Sequence, residues 1–241
     1  WLALAEAETE FGLFQSEQLE DLRQHVEDVD VPRALEIESE IHHDLMAELK
    51  TYAEQAPQGG GALHMGATSA DIEDNADVLR IRQALDLVIE RLRVLLLEFS
   101  ARIETWASTP IIAFTHLQPA VPTPYGYRLS IYALDVLGDY GSLQRLRTEL
   151  RGKGFKGAVG TAAAYCDLIG AENFPAFEDR LSQLLDLPFY PVATQTYPRR
   201  QEYHLLSALA GLGGTLYKFA FDLRLLQSPT IGEWNEPFAE R

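Results

Sequence analysis

Three stretches of the chain carry apolar side chains at every third or fourth position over many turns, and this spacing limits the fold more than any other feature. In the first stretch the apolar positions run from Leu85 to Trp106 without an intervening proline. Such spacing places apolar side chains on one face of an α-helix. Counted from an N-cap at Ser69, this helix would be about 55 to 60 Å long. A helix of that length needs neighbours to cover its apolar face.

The same spacing predicts two further long helices. One runs from about residue 198 to residue 227, where Ser228 and Pro229 end it. The other spans about residues 124–151 and contains three glycines, which lower helix propensity but permit close backbone approach. Three such helices cannot bury their apolar faces within so short a chain unless they bundle. We therefore predict an all-α fold built on a long-helix bundle that continues across a homo-oligomer.

The N-terminal part of the sequence predicts shorter helices, at residues 2–12, 16–26 and 31–52. They indicate a small helical N-terminal domain over residues 1–62, followed by a bundle domain over residues 63–241. We find no convincing β-hairpin signal. The proline-rich stretch around His116 therefore predicts an irregular connection between two long helices.

The composition limits the classes of partner that the chain can bind. Its 241 residues are 46% hydrophobic, which is ample for a packed core, and its formal net charge is -16. This charge disfavours nucleic acid or an anionic membrane as a partner. An acidic protein that binds an anion must concentrate its cations at the site. The candidates for such a basic site are Lys153, Lys156, Arg199 and Arg200. The two lysines and Arg200 could equally be solvated surface charges.

The single cysteine, Cys166, excludes an internal disulfide and fits a reducing compartment. The sequence contains no apolar run long enough to span a membrane, and it does not begin with the basic and apolar segments of a secretion signal. These observations predict a cytoplasmic protein without a membrane partner.

Two segments place a histidine beside hydroxyl or amide donors just before a long helical pattern. They are HMGATS at residues 64–69 and THLQPA at residues 115–120. The start of a helix offers unpaired N–H groups and the positive end of the peptide dipole, so Thr68 and Ser69 are placed to hold a carboxylate or phosphate. His64 or His116 could move a proton nearby. The simpler alternative is a helix N-cap with histidines that only form hydrogen bonds.

These two segments, together with three others, resemble the fumarase/aspartase superfamily and, within it, the adenylosuccinate lyase family most closely. The others are HHDLMA from His42, FKGAVGT from Phe155 and QTYPR from Gln195, and all five follow the family order. The resemblance implies a fumarase/aspartase-type bundle and a homotetramer with shared active sites. It also implies elimination of fumarate from an anionic nucleotide substrate, either adenylosuccinate to give AMP or SAICAR to give AICAR, without a metal or cofactor.

The resemblance implies catalytic roles for two histidines. His116 matches the general acid that protonates the leaving nitrogen, and His43 belongs with Asp44 to a triplet that contacts substrate and supports the acid/base pair. The family carries arginine where this chain has His42. An imidazole cannot supply the planar fork of donors that a guanidinium offers, so any anion contact there differs.

Further family positions imply substrate contacts. The matching residues are His64, Thr68 and Ser69 for phosphate and carboxylate groups, Gln195 for an amide contact, and Arg199 at a basic position. His25 and His204 match no family position and are predicted to be structural.

In the family, a segment like that at residues 236–238 precedes a loop of Gly-Ser-Ser-x-Met-Pro-x-Lys type whose serine is the general base. The resemblance therefore predicts that this chain belongs to a longer enzyme and that the 241 residues alone are nearly inactive. Two alternatives remain. One is a carboxymuconate cycloisomerase-type member of the superfamily, and the other is a non-catalytic helical scaffold.

Overall fold

The computed structural model describes residues 1–236, and this part of the chain is mainly helical. The all-α prediction is confirmed. The elements, in chain order, are α1 (Leu2–Glu10), α2 (Ser16–Gln24), α3 (Val31–Ile41), α4 (Asp44–Gln55), a 3-10 turn (Gly60–Ala62), α5 (Ser69–Thr105), β1 (Pro110–Thr115), β2 (Gln118–Pro124), α6 (Tyr125–Glu149), α7 (Ala163–Ile169), α8 (Phe174–Leu184) and α9 (Arg200–Leu226). Among the residues described, no helix combines the length and the apolar content needed to cross a lipid bilayer.

The chain divides into two compact units, and helix α5 passes from one to the other. The first unit contains residues 1–81 and 150–199, and the second contains residues 82–149 and those from 200 onward. The domain boundary near residue 62 stays a prediction. Pro237 and Phe238, which belong to the segment that resembles the family's loop entry, lie outside the described residues.

Two apolar clusters form the core of the first unit, and α1 contributes to both because it is apolar on several faces. One cluster joins α1 to α7 and α8 and consists of Leu4, Ala7, Phe155, Tyr165, Ile169, Phe177 and Leu181. The other joins α1 to α2 and the segment after α4 and consists of Ala5, Phe14, Leu22, Ala56 and Leu63. These clusters hold together the helices of the first unit that carry its candidate site residues.

The second unit packs the rest of α5 with α6 and α9. Phe219 of α9 lies edge-on to Phe99 of α5 and to Tyr132 of α6, with ring centroids 5.4 and 5.1 Å apart. The hydroxyl of Tyr132 also donates to Asp222 of α9 at 2.8 Å. All three long helices that the apolar spacing predicts are confirmed.

The connection that carries His116 is a β-hairpin, so the prediction of an irregular stretch there was wrong. Strands β1 and β2 pair antiparallel around a loop of two residues, His116 and Leu117. Both loop residues have positive φ, 50° and 57°, as a type I′ turn requires. The prolines of β2 are tolerated because each strand of a two-stranded ribbon is an edge strand.

The helix predicted over residues 31–52 is also wrong, since it breaks into α3 and α4 at two histidines. His42 adopts the left-handed conformation, with φ 55° and ψ 40°, and ends α3. His43 is extended, and its Nδ1 accepts a hydrogen bond from the backbone N–H of Met46 at 3.4 Å, which makes it the N-cap of α4. Histidine tolerates positive φ better than most residues, so it can form such a break.

Candidate functional site

The start of α5 is held in a fixed turn that leaves two hydroxyls available. The carboxylate of Asp71 accepts a hydrogen bond from the N–H of Thr68 at 3.0 Å, and the N–H of Asp71 donates to the carbonyl of Thr68 at 2.9 Å. Thr68 and Ser69 are half-buried. Because their hydroxyls stand beside the positive end of the helix dipole, they suit an anionic ligand.

His64 lies just before this turn and is half-buried. The indole Nε1–H of Trp1 donates to Nδ1 of His64 at 3.2 Å. Burial lowers the pKa of His64, the positive charge of His43 lowers it further, and the carboxylate of Asp71 opposes both. His64 therefore lies close enough to His43, in the HHDLMA segment, for the charge of one imidazole to affect the other. The first unit brings these two motifs together.

His43 stands exposed at the start of α4 among acidic side chains. Its Nδ1 lies 3.5 Å from a carboxylate oxygen of Asp44. Nearby, burial raises the pKa of Glu73, the charges of Asp44 and Asp74 raise it further, and His43 lowers it. His42 is also exposed, on the break between the two helices.

Helix α5 also holds the segment that contains Gln195. A carboxylate oxygen of Asp74 accepts from the N–H of Tyr197 at 2.8 Å, and the other accepts from the guanidinium of Arg199 at 2.8 Å. That guanidinium lies 4.5 Å from the centre of the Tyr197 ring. Arg199 thus partly serves to hold its own segment. Gln195 is exposed and lies two residues before Tyr197, whose N–H is held by Asp74.

The lysines of the glycine-rich segment are neither an open basic site nor solvated surface charges. Lys153 is fully buried and forms an ion pair with Asp71, and Lys156 is buried and forms an ion pair with Glu178 of α8. Both sequence-based interpretations of these two lysines were wrong. Their charges are neutralised inside the first unit.

His116 belongs to the second unit, where it stands exposed at the tip of the β1–β2 hairpin. The candidate substrate-binding residues all belong to the first unit. His204, predicted to be structural, accepts a hydrogen bond from Arg200 at 3.1 Å on α9. The catalytic and binding roles of the candidate residues stay predictions.

Sequence reasoning missed three polar residues that organise this region. Asp71, Asp74 and Asn75 are buried on α5, and Val78 is buried beside them. These positions follow the i, i+3, i+4, i+7 spacing of a buried helix face. Polar residues at such positions require hydrogen-bond partners, so this spacing was the available signal. Within residues 1–236, no group of three or more potential ligand side chains is arranged to hold a metal ion.

A family model described as lyase matches residues 2–241, which is nearly the whole chain. This chain belongs to that lyase family. The match includes both units and all five motifs, so the resemblance to a lyase superfamily is confirmed.

Several curated relatives in this lyase family are named adenylosuccinate lyase. The protein from Saccharomyces cerevisiae is 35% identical and the one from Schizosaccharomyces pombe is 36% identical, each over 99% of this chain. The protein from Archaeoglobus fulgidus is 33% identical over 98% of this chain. The chain spans about half the length of these relatives, between 50% and 52%.

Two solved structures share this fold. The fumarate lyase from Mesorhizobium sp. BNC1 has a TM-score of 0.84 at 24% identity, and the match covers 96% of this chain and 54% of that one. The 3-carboxy-cis,cis-muconate lactonizing enzyme from Pseudomonas putida has a TM-score of 0.84 at 27% identity, covering 96% and 53%. These likenesses confirm the predicted bundle type.

Proposed function

We propose that the protein to which this chain belongs is an adenylosuccinate lyase, which eliminates fumarate from adenylosuccinate to give AMP and from SAICAR to give AICAR. The observation that carries the proposal is the 33% to 36% identity, over almost the whole chain, to curated proteins of that name. The carboxymuconate alternative is less favoured, because the adenylosuccinate lyases are 33% to 36% identical to this chain and the muconate lactonizing enzyme is 27% identical.

The reaction requires a base, an acid and oriented donors. The base removes a Cβ proton, a doubly charged aci-carboxylate forms, and the C–N bond breaks as an acid protonates the nitrogen. Fixed hydroxyl and N–H donors stabilise the developing negative charge without reorganising. The imidazole of histidine is a suitable acid because its ordinary pKa lies near neutrality.

We assign the acid role to His116 and a supporting role to His43 with Asp44. Thr68 and Ser69 would hold an anionic group of the substrate, since their hydroxyls lie at the start of α5. The remaining candidate contacts are His42, His64, Gln195 and Arg199. This scheme gives the described residues the acid half of the acid/base pair.

We also propose a cytoplasmic homotetramer whose active sites are shared between subunits. His43, His64, His116 and Gln195 would then converge, although they come from separate stretches of sequence. The apolar side chains that remain exposed on the long helices support an oligomer.

The assay of fumarate release tests the proposal directly. The full-length protein is incubated separately with adenylosuccinate, SAICAR and 3-carboxy-cis,cis-muconate, and the reactions are followed by absorbance. Turnover of the first two substrates is expected. Turnover of the muconate alone would favour the cycloisomerase alternative, and failure to turn over any substrate or to bind AMP would favour a scaffold.

Substitution of His116 tests the acid assignment. His116→Ala in the full-length enzyme is expected to lower kcat by about 10² to 10⁴, the usual contribution of one positioned acid. Calorimetry should still detect substrate binding, because Thr68, Ser69 and Gln195 are unchanged. His204→Ala is the matched control, since that histidine pairs with Arg200 in the same unit, and it should keep kcat. An unchanged kcat in His116→Ala would remove His116 from the reaction.

A further inference from the structure

The buried carboxylate of Asp71 joins two distant segments of the first unit. It accepts hydrogen bonds from the N–H of Thr68 at 3.0 Å, of Lys156 at 3.0 Å and of Gly157 at 3.1 Å. It also forms the ion pair with Lys153, and neither side chain of that pair is exposed. A carboxylate with this many donors is held in one position. Asp71 therefore fixes the start of α5 to the glycine-rich segment at residues 152–161.

Asn75, one turn further along α5, makes a second tie to the same segment. Its side-chain amide donates to the carbonyl of Gly154 at 3.1 Å and accepts from the N–H of Gly154 at 3.1 Å. A Cβ atom at Gly152 would lie only 2.4 Å from the amide oxygen of Asn75. The segment thus lies against α5 so closely that glycine is required.

The N–H groups of Lys156 and Gly157 would otherwise form a cradle for an external anion. Asp71 already occupies that position as an internal anion, and Lys153 neutralises it. The glycine-rich segment therefore supports the start of α5 through its contacts with Asp71. The N–H of Thr68 is held by Asp71, while its hydroxyl stays available.

We propose that Asp71, together with Lys153, is a positioning residue that fixes Thr68 and Ser69 for an anionic group of the substrate. This inference rests on the proposed function. A buried ion pair is by itself a weak source of stability, because desolvation offsets the attraction of the two charges. A role in holding the hydroxyl donors of Thr68 and Ser69 explains why the start of α5 contains a buried ion pair.

The test compares two buried ion pairs in the full-length enzyme. Asp71→Asn with Lys153→Met removes both charges of the positioning pair but keeps an amide oxygen as acceptor. Lys156→Met with Glu178→Gln is the matched control, since that pair is also largely buried but joins the segment to α8. We expect the first double variant to raise KM for adenylosuccinate by about 10- to 100-fold, the usual effect of a small misplacement, with a smaller change in kcat. The control should keep the wild-type KM.

Each result has a defined meaning. A KM within about twofold of wild type in the folded first variant, or an equal rise in the control, would overturn the inference. If the first variant does not fold, Asp71→Glu decides, because it keeps the charge beside Lys153 but moves the carboxylate away from the N–H of Thr68. A raised KM in Asp71→Glu supports positioning, and an unchanged KM refutes it. Wild-type enzyme that releases no fumarate would refute the proposed function, and the inference with it.

Discussion

The surroundings of His64 favour the neutral form of its imidazole. Burial lowers the pKa of its imidazole, and the positive charge of His43 adds to this effect. Its Nδ1 accepts a hydrogen bond from the indole of Trp1, which requires that nitrogen to be unprotonated. A neutral His64 keeps a donor on Nε2, so it can offer a hydrogen bond to a ligand without carrying a charge.

The lowered pKa of His64 predicts the direction of a pH effect on stability. Below the unfolded-state pKa of about 6.5, the unfolded chain binds a proton more readily than the folded chain. The free energy of unfolding should therefore fall as pH falls below that value. Thermal unfolding of the wild type and His64→Gln between pH 5 and 7.5 tests this, since the variant should lose less stability on acidification. Parallel pH profiles for the two proteins would contradict the assignment.

At the scale of elements, the break between α3 and α4 depends on one unusual backbone conformation. His42 has φ 55°, a region that costs most non-glycine residues about 1 to 2 kcal/mol. His42→Gly and His42→Ala both remove the imidazole, so their difference isolates the backbone. The free energy of unfolding of His42→Gly should exceed that of His42→Ala by about 1 kcal/mol in chemical denaturation. Equal stabilities would show that the break does not depend on this conformation.

The long helices could be predicted from sequence, but the hairpin and the break could not. Apolar spacing over many turns determines α5, α6 and α9, because burial of one helix face imposes it. The His116-Leu117 turn lacks the Asn-Gly type of signal, although both of its residues have positive φ. The break at His42 lacks the glycine that commonly ends a helix. In both places the chain adopts a conformation that the local sequence does not indicate.

The candidate site was predictable in its motifs but not in its supporting contacts. The HMGATS and HHDLMA segments were found from sequence. The first unit brings His64 and His43 close enough for their charges to interact. The partner of Lys153 lies 82 residues away in the chain. Only the fold reveals such a pair. This is why Lys153 had the features of a candidate anion-binding residue and is instead paired internally.

At the scale of the whole molecule, the second unit leaves large apolar side chains exposed on its long helices. Leu134 of α6 is 68% exposed and Tyr217 of α9 is 69% exposed. Others on the same helices are Ile131, Leu137, Leu206, Leu216 and Phe221. Large apolar side chains that are exposed together commonly mark contacts with another protein. The proposed partner is further copies of the same chain, since the repeated spacing suits helix-on-helix packing.

A charge placed on this apolar surface should therefore disrupt assembly. Leu134→Glu in the full-length protein is expected to lower the oligomer mass measured by sedimentation, because an unpaired carboxylate would have to be buried between subunits. Val159→Glu is the matched control, since Val159 is 71% exposed but lies in the glycine-rich segment of the first unit and belongs to none of the long helices. The control should keep the wild-type mass. A wild type that sediments as a monomer, or a Leu134→Glu variant that keeps the full oligomer mass, would exclude this surface as the contact between subunits.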